Sequence, residues 1–151
     1  MYATRMSRYV EASPGSVYRA LLDADAVGRW RVPDGMMSRV HAFDAREGGA
    51  FRVSLTYEQP DAVGKSGAHT DTYHGRFVRL VPDRLVVEEL AFETEDPDLR
   101  GTMTMTTTLT TKEGGTEVVM VHEGVPDAVP RADNETGTRM ALARLAALVE
   151  G

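Results

Sequence analysis

Apolar and polar side chains alternate along most of the middle of the chain, as in strands that bury one face. The clearest segment is 51–58, in which every second side chain is apolar or aromatic: Phe51, Val53, Leu55 and Tyr57. The pattern predicts strands over residues 4–11, 36–45, 51–58, 70–81, 85–93, 103–109 and 118–122, with turns at 47–49, 82–84 and 113–115.

Helical spacing replaces this alternation in three places. Ser13 before Pro14 is a helix-start signal, because the serine hydroxyl can accept from free backbone N–H groups and proline suits the first helical position. A second short helical turn is predicted over 24–30. Near the C-terminus, Asp133 is predicted to cap a helix over 133–150 whose apolar stripe comprises Thr138, Ala141, Leu142, Leu145, Leu148 and Val149.

The order of elements is therefore one strand, two short helices, six antiparallel strands and a long helix. A sheet of this kind buries one face, and the amphipathic last helix is the obvious cover for that face. We expect a single α+β domain over residues 1–151, in which a curved sheet of six to seven strands wraps around the C-terminal helix. A helix held in this way can leave a cavity between itself and the sheet.

The composition agrees with a folded domain and excludes several kinds of site. The 151 residues are 42% hydrophobic and 26% charged, close to globular averages. Without cysteine, the chain has no disulfide, thiolate metal site or cysteine nucleophile. The net charge of −6 and the absence of a basic cluster argue against a nucleic-acid surface. No apolar run approaches the roughly 18 residues of a membrane span, and the N-terminus lacks a signal segment, so a soluble cytoplasmic protein is expected.

Several short motifs, taken in order, resemble a known family. They are Ser13-Pro14, Trp30, Asp44-Ala45-Arg46-Glu47-Gly48-Gly49, Tyr73-His74-Gly75-Arg76-Phe77, Pro82-Asp83-Arg84-Leu85 and His122-Glu123-Gly124. In this order they are similar to the START-like (SRPBCC) superfamily, and within it to the bacterial family named after the activator of the heat-shock-protein-90 ATPase. The resemblance covers essentially the whole chain. It implies a helix-grip fold and, commonly, an apolar cavity for a lipid-like or aromatic ligand.

Two positions depart from the pattern of that family. Many relatives carry tryptophan directly after the glycine near the start of the last helix, where this chain has Gly137 followed by Thr138. Many also carry further aromatic residues beside the position of Trp30, where this chain has Arg31-Val32-Pro33. Both departures place smaller or more flexible groups where bulk is usual, so the ligand of a relative is not carried over to this chain.

The predicted function is binding of a small hydrophobic or amphipathic molecule, apolar or aromatic, between the sheet and the last helix. Pliable methionine side chains suit an adaptable pocket, and ordinary core packing explains them about as well. Tyr73 and His122 are expected to be polar anchors. The predicted lining comprises Trp30, Phe51, Val53, Leu55, Tyr57, Tyr73, Phe77, Met103, Met105, Met120, His122 and Met140.

Two ionisable side chains in strands are candidates for acid–base chemistry. Alternation places His122 on the inward face of its strand and Glu89 on the face that carries Leu85 and Val87. An inward carboxylate is costly unless it is paired, protonated or functional. The resemblance to the START-like fold implies one alternative, a polyketide-cyclase-like enzyme that would use Glu89 or His122 for proton transfer, with Tyr73 as a further polar group. The other interpretation of His122 is a hydrogen-bonded core histidine, and no catalytic residue is assigned.

Neither a metal nor a cofactor is predicted. The four histidines form no helical i,i+4 pair and match no zinc spacing. Gly64-Lys65-Ser66 is not a phosphate loop, because Gln59 stands where the first glycine is needed and a strand follows. A chaperone-cofactor or other interaction role follows from the family resemblance alone. The sequence leaves open the ligand, any catalysed reaction, and whether the chain forms a homodimer.

Overall fold

The structure is a computed structural model that describes residues 1–58 and 70–150. The predicted loop over 59–69 lies outside the described residues, as does Gly151. No helix in the described ranges is long and apolar enough to cross a membrane. The described elements are β1 Tyr2–Val10, α1 Pro14–Leu21, α2 Ala24–Trp30, β2 Met36–Phe43, β3 Ala50–Tyr57, β4 Thr70–Val81, β5 Leu85–Phe92, a 3-10 turn Pro97–Leu99, β6 Met103–Lys112, β7 Gly115–Val125 and α3 Arg131–Glu150.

The seven described strands form one antiparallel sheet in the order β1-β7-β6-β5-β4-β3-β2. Each strand from β3 to β7 lies beside the one before it, and β1 joins the free edge of β7. Glycine permits the turn between β2 and β3, because Gly48 has a φ of 82° and a Cβ on Gly49 would overlap the carbonyl oxygen of Asp44. The predicted antiparallel α+β architecture is confirmed.

The helices pack on the inward face of this sheet. Ser13 caps α1 as predicted, because its hydroxyl accepts from the backbone N–H of Ser16. Asp23 caps α2 in the same way through Ala26. α3 contacts β1 and α2, and its Leu145 is completely buried in the core. The C-terminal helix is therefore held by the sheet, as the helix-grip prediction requires.

α3 begins at Arg131, ahead of the predicted cap. The backbone N–H groups of Asp133 and Asn134 donate to the carbonyl oxygen of Pro130, so Asp133 lies in the first turn of the helix. The prediction that Asp133 caps α3 is wrong. A carboxylate is favoured by the helix dipole throughout the first turn, so residue type alone does not separate the cap from the positions just after it.

β5 has the opposite face inward from the one predicted. Glu88 and Leu90 are buried, whereas the carboxylate of Glu89 faces outward and pairs with Arg76 at 2.8 Å. Apolar residues occur on both faces of β5, so alternation does not decide its orientation. Pairing with β6 does, because it sets Glu88 opposite the inward Met105. The prediction of an inward Glu89 is therefore wrong, and the inward carboxylate is Glu88.

Candidate ligand-binding cavity

A cavity of about 220 Å³ lies between the inward face of the sheet and α3. Strands β3 to β7 form its floor, while the segment after α2 and the first half of α3 form its rim. Larger depressions beside α1 and α2, beside the β4–β5 turn, and beside Asp98 and Pro126 lie on the surface and are more open to solvent. The apolar part of the cavity wall comprises Trp30, Val32, Pro33, Leu55, Leu90, Phe92, Met103, Met105, Met120, Val129 and Ala141.

The cavity occupies only part of the predicted site. Phe51, Val53 and Phe77 face inward, but they pack in the closed core beside the cavity, where the Phe51 and Phe77 ring centroids are 5.2 Å apart. Tyr57 and Met140 are half-buried and do not border the cavity either. Seven of the twelve predicted residues border it: Trp30, Leu55, Tyr73, Met103, Met105, Met120 and His122.

A buried ion pair in the cavity wall was missed by the sequence analysis. Arg31 donates to the Glu88 carboxylate at 2.6 Å, and the two side chains are only 16% and 7% exposed. The guanidinium carbon also lies 5.3 Å from the centroid of the Tyr73 ring. Burial lowers the pKa of Arg31, but the charge of Glu88 and their hydrogen bond outweigh burial, so the net pKa is raised. The partners are 57 residues apart in the chain, so no local spacing signals the pair.

His122 enters the cavity with one ring nitrogen already engaged. Its Nδ1 lies 2.9 Å from Nδ2 of Asn134, whose Oδ1 accepts the hydroxyl of Thr4. Because an amide nitrogen can only donate, Nδ1 accepts, and the neutral imidazole carries its proton on Nε2. Burial, and then the charge of Arg31, lowers the pKa of His122 to about 4. At neutral pH the ring is therefore uncharged, with Nε2–H as a donor.

Two side chains that border the cavity each carry a buried polar atom with no hydrogen-bond partner within the described ranges, namely His122 Nε2 and Tyr73 Oη. Tyr73 is 5% exposed, and burial raises its pKa, so the phenol keeps its proton at neutral pH. An unpaired buried donor costs about 1–3 kcal/mol. An orphaned polar atom on a cavity-lining side chain is therefore a candidate contact point for a bound molecule. Ser38, on β2, carries another such atom away from the cavity.

The charged side chains that border the cavity in the described chain are Arg31, Glu88 and Asp133. Their formal charges sum to −1, because Arg31 and Glu88 neutralise each other and Asp133 adds one negative charge at the rim. No group of three or more histidines and carboxylates that could hold a metal occurs in residues 1–58 and 70–150.

Comparison with known proteins assigns the family. The family model for the Activator of Hsp90 ATPase homolog 1-like protein matches residues 11–150. The chain belongs to this family. The START-like resemblance in the sequence is thereby confirmed. A protein of known crystal structure from Chromobacterium violaceum is 33% identical to this chain, with a TM-score of 0.88, and the match covers 99% of this chain and 98% of that one.

More distant solved structures share the fold of this Activator of Hsp90 ATPase homolog 1-like chain. An AHSA1-like protein from Aeromonas hydrophila is 18% identical, with a TM-score of 0.71 over 98% of this chain and 92% of that one. A relative from Colwellia psychrerythraea, described as a dimer, is 18% identical, with a TM-score of 0.67 over 99% of this chain and 97% of that one. A search of the curated proteins finds no match.

Both positions at which the sequence departs from the pattern of its family border the cavity. Arg31, Val32 and Pro33 line one side, and Gly137 and Thr138 line the other. Arg31 brings a charge into the wall, whereas Thr138 turns its hydroxyl back to the carbonyl oxygen of Asn134 within α3. These departures therefore shape the space in which a ligand of this chain would lie.

Proposed function

We propose that the protein binds one small hydrophobic or amphipathic molecule in the cavity between the sheet and α3. The observation that carries this proposal is an apolar wall that also presents two buried atoms without partners among the described residues, Tyr73 Oη and His122 Nε2. Burial of the ligand's apolar surface supplies roughly 25 cal/mol per Å², and the polar atoms set its orientation. Membership of a START-like family supports a ligand-binding domain in general.

The volume of the cavity limits the size of the ligand. An apolar cavity of roughly 150 Å³ in another protein binds benzene, and drug-sized molecules occupy roughly 300–1,000 Å³. The cavity of about 220 Å³ lies between these values. It suits a compact molecule of about one to two rings.

Catalysis by proton transfer has less support. Glu89 lies on the outward face, and Glu88 is held in an ion pair with Arg31. His122 carries its proton on Nε2, the nitrogen without a partner among the described residues, and has a pKa of about 4, so it can donate a hydrogen bond and does not take up a proton at neutral pH.

Methionine methyl groups offer a direct test of binding. Met103, Met105 and Met120 border the cavity, whereas Met1 and Met37 are 84% and 60% exposed. In protein labelled with ¹³C at the methionine methyl groups, titration with 2-acetylnaphthalene or 2-isopropylnaphthalene should shift the first three resonances and leave the last two in place. Shifts confined to Met1 and Met37, or no shift with either compound, would contradict the proposal.

A further inference from the structure

We infer that the ligand of this cavity is uncharged and offers a carbonyl-type oxygen that accepts hydrogen bonds from His122 Nε2–H and Tyr73 O–H. This inference rests on the proposed function, because it concerns the same cavity. It narrows the ligand to aromatic ketones, quinones or lactones and excludes fatty acids and other carboxylates.

The direction of the hydrogen bond from His122 is set by a short series of hydrogen-bonded side chains. The Thr4 hydroxyl donates to Oδ1 of Asn134, which turns the amide nitrogen toward His122. Nδ1 of His122 therefore accepts, and the proton sits on Nε2. Thr4 is 4% exposed and His122 is 9% exposed, and Asn134 between them is half-buried. The ligand atom that meets Nε2 must be an acceptor.

Tyr73 supplies a second donor among the side chains that border the cavity. Arg31 lies over its ring at 5.3 Å, while Oη has no partner in the described parts of the chain. Tyr73 and His122 border the same cavity of about 220 Å³, and the charge of Arg31 acts on both side chains. A carbonyl oxygen has two lone pairs and can accept from both donors at once.

The charges in the wall argue against an ionised ligand. Arg31 is already neutralised by Glu88 at 2.6 Å, and Asp133 adds a negative charge at the rim. A carboxylate ligand would have to leave water for a cavity that offers it no unpaired positive charge, and this desolvation costs several kcal/mol. An ammonium group would meet the Nε2–H donor of His122, which offers it no lone pair.

Three probes with the same ring body separate these possibilities by isothermal titration calorimetry at pH 7. They are 2-acetylnaphthalene, the similarly shaped hydrocarbon 2-isopropylnaphthalene, and the carboxylate 2-naphthoate. The wild-type chain should bind the ketone at least tenfold more tightly than either of the others. This comparison does not depend on the folding of any variant.

A variant then tests the donor itself. Tyr73→Phe keeps the ring under Arg31 and removes only the hydroxyl, so it should weaken ketone binding roughly three- to tenfold and leave hydrocarbon binding unchanged. Tyr9→Phe is the matched control, since the Tyr9 hydroxyl donates to the carbonyl oxygen of Glu113 on the surface. This control should bind all three probes as the wild type does.

The outcomes distinguish the inference from the proposed function. Equal affinity for the ketone and the hydrocarbon, or a preference for 2-naphthoate, overturns the inference while shifts at Met103, Met105 and Met120 sustain the proposed function. Loss of ketone binding to the same extent in Tyr73→Phe and Tyr9→Phe also overturns it. If none of the three probes binds, the proposed function fails and the inference fails with it.

Discussion

The guanidinium of Arg31 and the carboxylate of Glu88 meet inside the wall of the cavity. Removing either charge from water costs several kcal/mol, and their attraction offsets this only while both are present. Arg31 also covers the Tyr73 ring, so one side chain joins the segment after α2 to strands β4 and β5. At the residue scale, the ion pair therefore serves to hold the cavity wall in one arrangement and adds little to the free energy of unfolding.

A double-variant cycle tests this interpretation of the ion pair. Arg31→Met and Glu88→Met should each lower the free energy of unfolding by about 3–5 kcal/mol, because each leaves one buried charge unpaired. The double variant should recover a large part of that loss. Urea unfolding gives the free energies, and Arg76→Met, which breaks the exposed pair with Glu89, should change them by less than about 1 kcal/mol. Losses that simply add in the double variant would contradict the interpretation.

His122 should make the stability of the protein depend on pH. Its pKa falls from an ordinary value of 6.5 to about 4 in the folded chain, through burial and the charge of Arg31. Between these values the unfolded chain binds a proton that the folded chain does not. The free energy of unfolding is therefore at its full value above pH 6.5 and declines as the pH falls toward 4.

Urea unfolding at pH 7 and pH 5 measures this contribution. The wild type should lose roughly 2 kcal/mol more than His122→Gln between the two values, since each pKa unit corresponds to about 1.4 kcal/mol. A pH of 5 leaves ordinary carboxylates mostly ionised, and the variant corrects for the remainder. Identical losses in the two proteins would show that His122 is not kept neutral by the fold.

At the scale of elements, α3 has two roles along its length. Leu142 and Leu145 are buried against the core, whereas Asn134 and Gly137 border the cavity. A Cβ on Gly137 would meet nothing within 4 Å. Glycine in a helix interior costs about 1 kcal/mol relative to alanine. The missing side chain therefore leaves space in the cavity at the expense of helix stability.

Substitution of Gly137 should separate stability from binding. Gly137→Ala should raise the free energy of unfolding by about 0.5–1 kcal/mol, and Gly137→Phe should fill the cavity and weaken binding of 2-acetylnaphthalene at least tenfold. Gly28→Ala in α2 is the matched control, because its Cβ would lie 3.8 Å from Val40 and away from the cavity. Thermal unfolding and calorimetry provide the two measurements. Unimpaired binding to Gly137→Phe would show that the ligand lies elsewhere.

At the scale of the whole molecule, contacts between distant parts of the chain hold α3 and the segment before it in place. Arg144 of α3 pairs with Asp34, in the loop after α2, at 2.7 Å. The Tyr2 hydroxyl, at the start of β1, donates to the carbonyl oxygen of Val129, just before α3. Because α3 forms part of the cavity wall, the shape of the cavity depends on how firmly α3 docks on the rest of the protein, and Leu145 is the side chain of α3 that is completely buried.

Truncation of Leu145 tests the docking of α3. Leu145→Ala should lower the free energy of unfolding by about 2–5 kcal/mol, since it leaves a void in a fully buried position. Leu148→Ala, at a half-buried position of the same helix, should cost clearly less. Chemical denaturation of both variants gives the comparison. Equal and small losses would mean that α3 is not held by the core as described.

Much of the fold could be predicted because alternation and capping are local properties. The inward faces of β3, β6 and β7 follow from side chains two residues apart, and Ser13 caps α1 through a residue three positions later. Local patterns failed where they were ambiguous. β5 is apolar on both faces, and acidic residues suit both the cap and the first turn of α3.

The sequence by itself therefore determined the class of fold, the order of the elements and the inward position of His122. Tertiary structure alone decided that Glu88 and not Glu89 faces inward, that Arg31 reaches it from 57 residues away, and that Phe51 packs in the core beside the cavity. Each of these outcomes depends on which strands become neighbours and on how completely side chains from distant segments fill the space between them. Those relations arise only when the whole chain is packed, because no short stretch of sequence contains both partners.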